Sequence, residues 1–323
     1  MRVALIGCGT AAEYYHLPAL VSEIGADSLW FVDPDVGRAR ALAAAAGAPP
    51  SHAVADARDS TVDAAVVATP SHLHAEVASR LLEAGVHVLC EKPLATTAAA
   101  GRRVAEAAAA GGSVLAVGHF RRFFPTTPLV ADLVARGLCG RLQRFTAEEG
   151  YVLAWEPQSD YWLDRERAGG GVLADLGPHV LDLLRTWLGP DLAVAAYRDD
   201  SLGGVEADCV LELDGPVPGT IKLSRTRALR NEVRIECEAG AIVAPLPSPG
   251  ELTLELGAHV HRVEVGEDDA YPAAFRAQLV DFLEAARNGG APTVRAEDGV
   301  AVLDLIETAY AHRAPLQQPW VTG

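Results

Sequence analysis

The stretch Arg2-Val3-Ala4-Leu5-Ile6-Gly7-Cys8-Gly9-Thr10-Ala11-Ala12 decides how this chain must fold. Arg2 to Ile6 reads as a continuous apolar strand, and it breaks at once into Gly-x-Gly-x-x-Ala followed by a helical stretch. In that setting the glycines permit a tight turn and the close approach of a pyrophosphate. The helix start at Thr10, Ala11 and Ala12 supplies amide donors and the positive end of the helix dipole.

Working outward, Ser28 to Val32 reads as a second strand ending in Asp33, where an acid would accept from the adenosine ribose hydroxyls and repel a 2′-phosphate. This favours NAD. Arg38 could stack on adenine or meet a phosphate, which keeps NADP open, or it is an ordinary exposed helix arginine. A third strand, Ala64 to Ala68, runs into Thr69-Pro70-Ser71-His72-Leu73-His74 and a helix through Leu82, stopped at Gly85. The alternation is that of a parallel βαβ unit. His74 is expected near the cofactor and His72 on the surface at the helix start. Neither has metal-ligand spacing, so no metal is expected.

Val86 to Cys90 reads as a further buried strand, which Pro93 must end because it has no amide for a sheet ladder. That leaves Glu91-Lys92 at the carboxyl edge of the sheet, where open α/β folds bind their ligands. A solvated loop lysine is the alternative. A helix over Ala95 to Ala110 and a strand over Ser113 to Val117, ending at Gly118-His119-Phe120, complete the unit.

The 323 residues are 50% hydrophobic, enough for two domains with their own cores. A formal charge of −16 argues against nucleic acid or an anionic membrane as partner. Cys8, Cys90, Cys139, Cys209 and Cys237 are scattered and odd in number, which points to neither a disulfide framework nor a zinc site. No leader or membrane span is read, and a cytoplasmic location is expected.

Composition shifts at Phe120-Arg121-Arg122-Phe123-Phe124-Pro125, which reads as a junction. Two domains are expected, 1–120 and 121–323. Period-two segments follow at Leu142 to Glu149, Asp208 to Leu213, Gly219 to Ser224, Glu232 to Glu238 and Glu251 to Leu256. They indicate an α+β domain with a largely antiparallel sheet. His259 and His261 alternate along another such segment and read as strand-face residues. Arg225, Arg227 and Arg230 read as a solvated basic face or a subunit contact.

The informative run of this domain is Gly169-Gly170-Gly171-Val172-Leu173-Ala174-Asp175-Leu176-Gly177-Pro178-His179. As one helix kinked at Pro178, it sets Asp175 and His179 one turn apart on a common face. If the helix starts instead at Pro178, His179 stands in its first turn, where the dipole favours a neutral base. Either arrangement makes His179 a proton acceptor. A helix-cap carboxylate and a core histidine are the bland alternative.

Gly7-x-Gly9-x-x-Ala12, Thr69-Pro70-x-x-x-His74, Glu91-Lys92-Pro93 and the glycine run through Asp175, His179 and Asp182 occur together in this order. With them the chain resembles the glucose-fructose oxidoreductase/inositol dehydrogenase (Gfo/Idh/MocA) family of NAD(P)-dependent enzymes. The resemblance implies a Rossmann domain followed by an α+β domain whose large open sheet serves in forming a homodimer or homotetramer. It implies an oxidoreductase moving hydride between nicotinamide and a carbinol or ketone carbon of a sugar, nucleotide-linked sugar, inositol or aminocyclitol. Lys92 would steady the alkoxide, His179 would take the hydroxyl proton, and Asp175 would hold the histidine or a substrate hydroxyl. The glycine turn, Asp33, Arg38, Thr69, Pro70, His74, Glu91, Lys92 and His119 would face the cofactor. Ser71 stands where similar sequences commonly carry asparagine. Trp155, Tyr161 and Trp162 would wall the substrate. An epimerase or lyase using tightly held NAD as transient oxidant, and a non-catalytic NAD(P)-binding regulator, are the competing readings.

Overall fold

Six short strands, β1 (Val3–Ile6), β2 (Leu29–Val32), β3 (Ala53–Val54), β4 (Ala64–Val67), β5 (His87–Glu91) and β6 (Leu115–Gly118), pair in parallel throughout. The computed structural model describes residues 1–59, 61–152, 160–201, 204–247, 250–266 and 270–317. Strands β1, β4 and β6 are buried along their whole length, as strands of a parallel sheet covered on both faces must be. The sheet order is β3-β2-β1-β4-β5-β6. It reverses between β1 and β4, and at such a switch the turns that follow the two strands open a crevice at the carboxyl edge.

Helices α1 (Leu17–Ile24), α2 (Val36–Ala46), α3 (Ser71–Glu83) and α4 (Ala98–Gly111) make the crossovers. Asp35 caps α2 through the Gly37 amide, and Thr97 caps α4 through the Ala100 amide. The segment after the glycine turn departs from a plain α-helix, because Ala12–His16 forms a π turn before α1 begins.

The second sheet has nine strands in the order β14-β13-β12-β11-β7-β10-β9-β8-β15. These are β7 (Leu142–Gly150), β8 (Ala193–Asp199), β9 (Asp208–Asp214), β10 (Gly219–Ser224), β11 (Glu232–Cys237), β12 (Gly240–Pro245), β13 (Glu251–Leu256), β14 (His259–Glu264) and β15 (Arg313–Pro315). Pairing is antiparallel except between β7 and β10 and between β8 and β15. Alternation works as expected in β11, where Val233 and Ile235 are buried while Arg234 and Glu236 face outward and pair with Glu255 and Arg144. Strand β12 was not anticipated, because four of its residues in a row are buried and a period-two pattern passes it over. Helices α5 (Thr126–Ala135), α6 (Arg165–Ala168) and α7 (Val172–Leu188) accompany this sheet.

The chain divides into two compact units, Met1–Phe120 with Tyr271–Leu303, and Arg121–Ala270 with Asp304–Gly323. The chain passes from the first unit to the second after Phe120, and residues 271–303 belong to the first unit. Helix α8 (Ala270–Asn288) explains the return, since its Leu279, Phe282 and Leu283 share one buried cluster with Val3, Leu5 and Leu89. Beyond it, the Val117 amide donates to Val294 O at 3.2 Å, and α9 (Ala296–Ala311) follows. Arg121 and Arg122 open the second unit and are drawn into it, Arg121 to Glu149 at 2.6 Å and Arg122 to Asp182 at 2.6 Å.

Candidate functional site

In the first unit the glycine turn is built from two unlike glycines. Gly7 has φ +88°, and a Cβ there would lie 2.7 Å from Ala68 O and 2.8 Å from the Thr69 nitrogen. It must be glycine for the turn after β1 to pass the end of β4. At Gly9 a Cβ would meet nothing within 4 Å, so its bareness leaves open space before the helix start at Thr10 and Ala11. Ala12 is buried beneath.

Asp33 braces this turn from the side. Its carboxylate accepts from the Cys8 amide at 2.9 Å and the Asp35 amide at 2.9 Å, and its remaining lone pairs are available to a ribose diol. Arg38 is exposed, 3.6 Å from Asp35. Thr69 Oγ1, beside the turn, is buried without a partner among the described residues, and Pro70 precedes α3 as its N-cap. Buried hydroxyls are seldom left unpaired. Open space at Gly9, helix-start amides, this hydroxyl and the Asp33 carboxylate together fit a dinucleotide, with its pyrophosphate at the turn.

At the end of β5, Glu91 Oε1 lies 2.8 Å from His16 Nε2, and Oε2 accepts from the Lys92 amide at 3.0 Å. Burial opposes the charge on Glu91, but the His16 hydrogen bond and the neighbouring cations outweigh it and hold the carboxyl below its ordinary range. His16 was not singled out in the sequence. Its signal would have been a histidine shortly after a glycine turn, which says nothing until β5 is placed beside it.

His74 is buried, with Nδ1 2.7 Å from Pro93 O and Nε2 2.7 Å from Thr69 O. It ties the turn after β4 to the loop after Lys92. Burial pushes its pKa down while the two carbonyls pull the other way, since a neutral ring can donate to only one of them. His119 follows β6, buried, its amide donating to Val117 O at 2.8 Å.

In the second unit α7 is one continuous helix with Pro178 inside it, so the first of the two expected geometries holds. Asp175 and His179 stand at i and i+4 on one face, and the first helical turn holds Asp175 rather than His179. His179 is buried. The helix starts where it does because of Glu206, a residue no motif marks. Its Oε1 accepts from the Gly171 and Leu173 amides, both at 3.0 Å, and its backbone oxygen accepts from the Val172 amide at 2.9 Å. A carboxylate there satisfies orphan amides and faces the positive end of the dipole.

Because β7 and β10 run parallel side by side, the chain leaves both at the same end, as Tyr151 and as Arg225. Ser224 Oγ accepts from the Thr226 and Arg227 amides, both at 3.1 Å, while the Thr226 hydroxyl and the Arg227 guanidinium reach Asp208. On this fixed turn Arg225 donates to Asp175 Oδ2 at 2.7 Å, and its guanidinium carbon lies 4.9 Å from the centre of the Trp162 ring. Arg225 is therefore part of the Asp175 cluster, not of a solvated face, and Arg227 is held by Asp208. Tyr161 packs beside Trp162 at 5.3 Å. Burial, then the Asp175 charge, push its hydroxyl pKa up to about 12, which keeps it a neutral donor. Trp155 lies outside the described residues.

His259 and His261 sit on the exposed edge strand β14. No group of three metal-ligating side chains occurs among the described residues, and no described helix is long and apolar enough to cross a membrane.

Comparison with known proteins gives a consistent picture. The family model described as an oxidoreductase family with an NAD-binding Rossmann fold, GFO/IDH/MocA, matches residues 1–119, and that of the GFO/IDH/MocA C-terminal domain matches residues 129–243. A myo-inositol dehydrogenase of Streptomyces leeuwenhoekii is 32% identical over 310 residues, 90% of each chain. A putative UDP-kanosamine synthase oxidoreductase subunit of Amycolatopsis mediterranei is 34% identical over 235 residues, 64% of this chain and 62% of that one. Levoglucosan dehydrogenase, solved with NADH and levoglucosan, has the same fold, with a TM-score of 0.82 at 22% identity over 97% of this chain and 98% of that one.

Proposed function

The chain belongs to the GFO/IDH/MocA family of oxidoreductases, and from that premise we propose that it transfers hydride between a nicotinamide dinucleotide and a carbinol or ketone carbon of a small polyhydroxylated substrate. The class is that of sugars, nucleotide-linked sugars, inositols and aminocyclitols. NAD is the cofactor the first unit fits, with the acid at Asp33 favouring it over NADP.

The observation that carries this reading is Lys92. Of the chain's 27 lysines and arginines only two are lysines, Lys92 and Lys222, and Lys92 stands at the carboxyl edge of the sheet behind a partly buried carboxylate. An ammonium is a compact point charge that suits a developing alkoxide, which the fork of a guanidinium does not replace. When bound, the dinucleotide accepts or returns the hydride. Lys92 steadies the oxyanion, His179 takes or returns the hydroxyl proton, and Asp175, kept in place by Arg225, receives a hydrogen bond from His179 or from a substrate hydroxyl. Trp162 and Tyr161 offer an apolar face and a donor to a sugar ring. The first unit serves as the cofactor domain and the second as the substrate and assembly domain. Homodimer or homotetramer formation through the nine-stranded sheet and a cytoplasmic location belong to the same proposal.

Calorimetry with NAD(H) and NADP(H), followed by a nicotinamide absorbance screen over these substrate classes, tests it. Turnover by the wild type that falls by about 10²–10³-fold in Lys92→Ala is the expected result. Tight NAD binding without net redox change on any of them would replace it with the epimerase reading.

A further inference from the structure

We propose that His16 is a positioning residue for Lys92, acting through the Glu91 carboxylate and linking the lysine to the helix that starts at the glycine turn. The inference rests on the reading that Lys92 is the working cation and that the dinucleotide binds at that turn.

Two hydrogen bonds in series make the link. His16 Nε2 is 2.8 Å from Glu91 Oε1, and Glu91 Oε2 receives the Lys92 amide at 3.0 Å. The peptide from which the lysine projects is thus bonded, through one carboxylate, to the segment that follows Gly9. His16 reaches Glu91 because Ala12–His16 is a π turn, which holds one residue more than an α turn. One residue is about 100° of helix, so in an unbroken α-helix position 16 would face elsewhere.

Both partners are confined. The His16 ring stands edge-on to Phe275 at 5.3 Å, and Phe275 is stacked between Tyr15 at 5.0 Å and Phe120 at 4.4 Å. On the other side Gly118 is pressed against Glu91, for a Cβ there would lie 3.0 Å from Glu91 Cα and 3.1 Å from its Oε2. The bare Gly118 leaves the room the Glu91 carboxylate occupies, and the edge contact with Phe275 holds the imidazole against it. Through these two hydrogen bonds the position of the glycine-turn helix would be felt at the Lys92 peptide.

The two-lysine composition makes this measurable without a substrate. Trace acetylation with acetic anhydride, resolved by peptide mass spectrometry, gives the rate at Lys92 with Lys222, on the second sheet beside Glu148, as internal reference. It would be run on the full chain with and without NADH, in the wild type, His16→Leu and His16→Gln, with NADH affinity measured by fluorescence. We expect His16→Leu to change the Lys92 rate relative to Lys222, measured without NADH, by about tenfold, the scale of one lost charge-assisted hydrogen bond. His16→Gln, which keeps a donor, should restore it. A Lys92 rate in His16→Leu equal to that of the wild type would overturn the proposal. If His16→Leu does not fold, Glu91→Leu, which can neither accept the Lys92 amide nor meet His16, breaks the same chain and is judged in the same way. Failure of the wild type to bind NADH would refute the cofactor reading instead, while the rates without NADH still decide whether His16 positions Lys92.

Discussion

The phenol oxygen of Tyr310 lies 2.7 Å from Glu206 Oε1, in the place a Cβ on Gly170 would need, 1.9 Å from that oxygen. Gly170 also has φ +145°, which side-chain-bearing residues rarely adopt. Gly170→Ala must therefore push Tyr310 off the carboxylate that starts α7. Denaturant unfolding should show a loss of about 1–3 kcal/mol, and an unchanged midpoint would contradict this packing.

Glu206 makes a pH prediction. Burial, larger than the help from its hydrogen-bond donors, raises its carboxyl above the ordinary 4.5. A raised folded pKa means the folded state holds the proton more tightly, so this contribution is full below about 4.5 and is lost as pH rises through the folded value. In unfolding titrations the wild type should lose stability relative to Glu206→Gln as pH increases over that span. A difference that stays constant or grows in favour of the wild type would mean the carboxyl is not raised.

The two glycines of the first turn should separate folding from binding. Gly7→Ala has a collision with Ala68 and Thr69 and a strained φ, so it should lower the melting temperature. Gly9→Ala meets no protein atom and should leave melting unchanged while weakening NADH by about tenfold or more, because the methyl takes the pyrophosphate's space. Equal NADH affinity in Gly9→Ala and the wild type would move the pyrophosphate away from this turn.

Removing the partner of Asp175 should affect catalysis more than fold. Arg225→Ala leaves a half-buried carboxylate without its 2.7 Å donor. We expect kcat/KM to fall by about 10²-fold with NADH affinity kept, and Arg225→Lys to recover part of it. Loss of NADH binding in Arg225→Ala would show a wider structural role.

Much of the first unit is legible in the sequence. Strand, glycine turn, helix and an acid at the next strand end are local patterns, and local sterics, dipoles and hydrophobic periodicity suffice to specify them. The same holds for Asp175 and His179, whose i, i+4 spacing needs only a continuous helix, although the sequence around Pro178 is compatible with two helix starts. Folding alone decided what lies far apart in sequence and close in space. His16 meets Glu91 only because a π turn and β5 share one sheet edge, and Glu206 caps a helix remote from it in the chain. Arg225 turns from an apparent surface charge into the partner of Asp175 because two parallel strands end side by side. Residues 271–303 leave the second half of the chain for the first unit because an apolar helix face needs a core to cover it. Pattern determined the elements; burial and charge pairing between distant segments determined which side chains share a site.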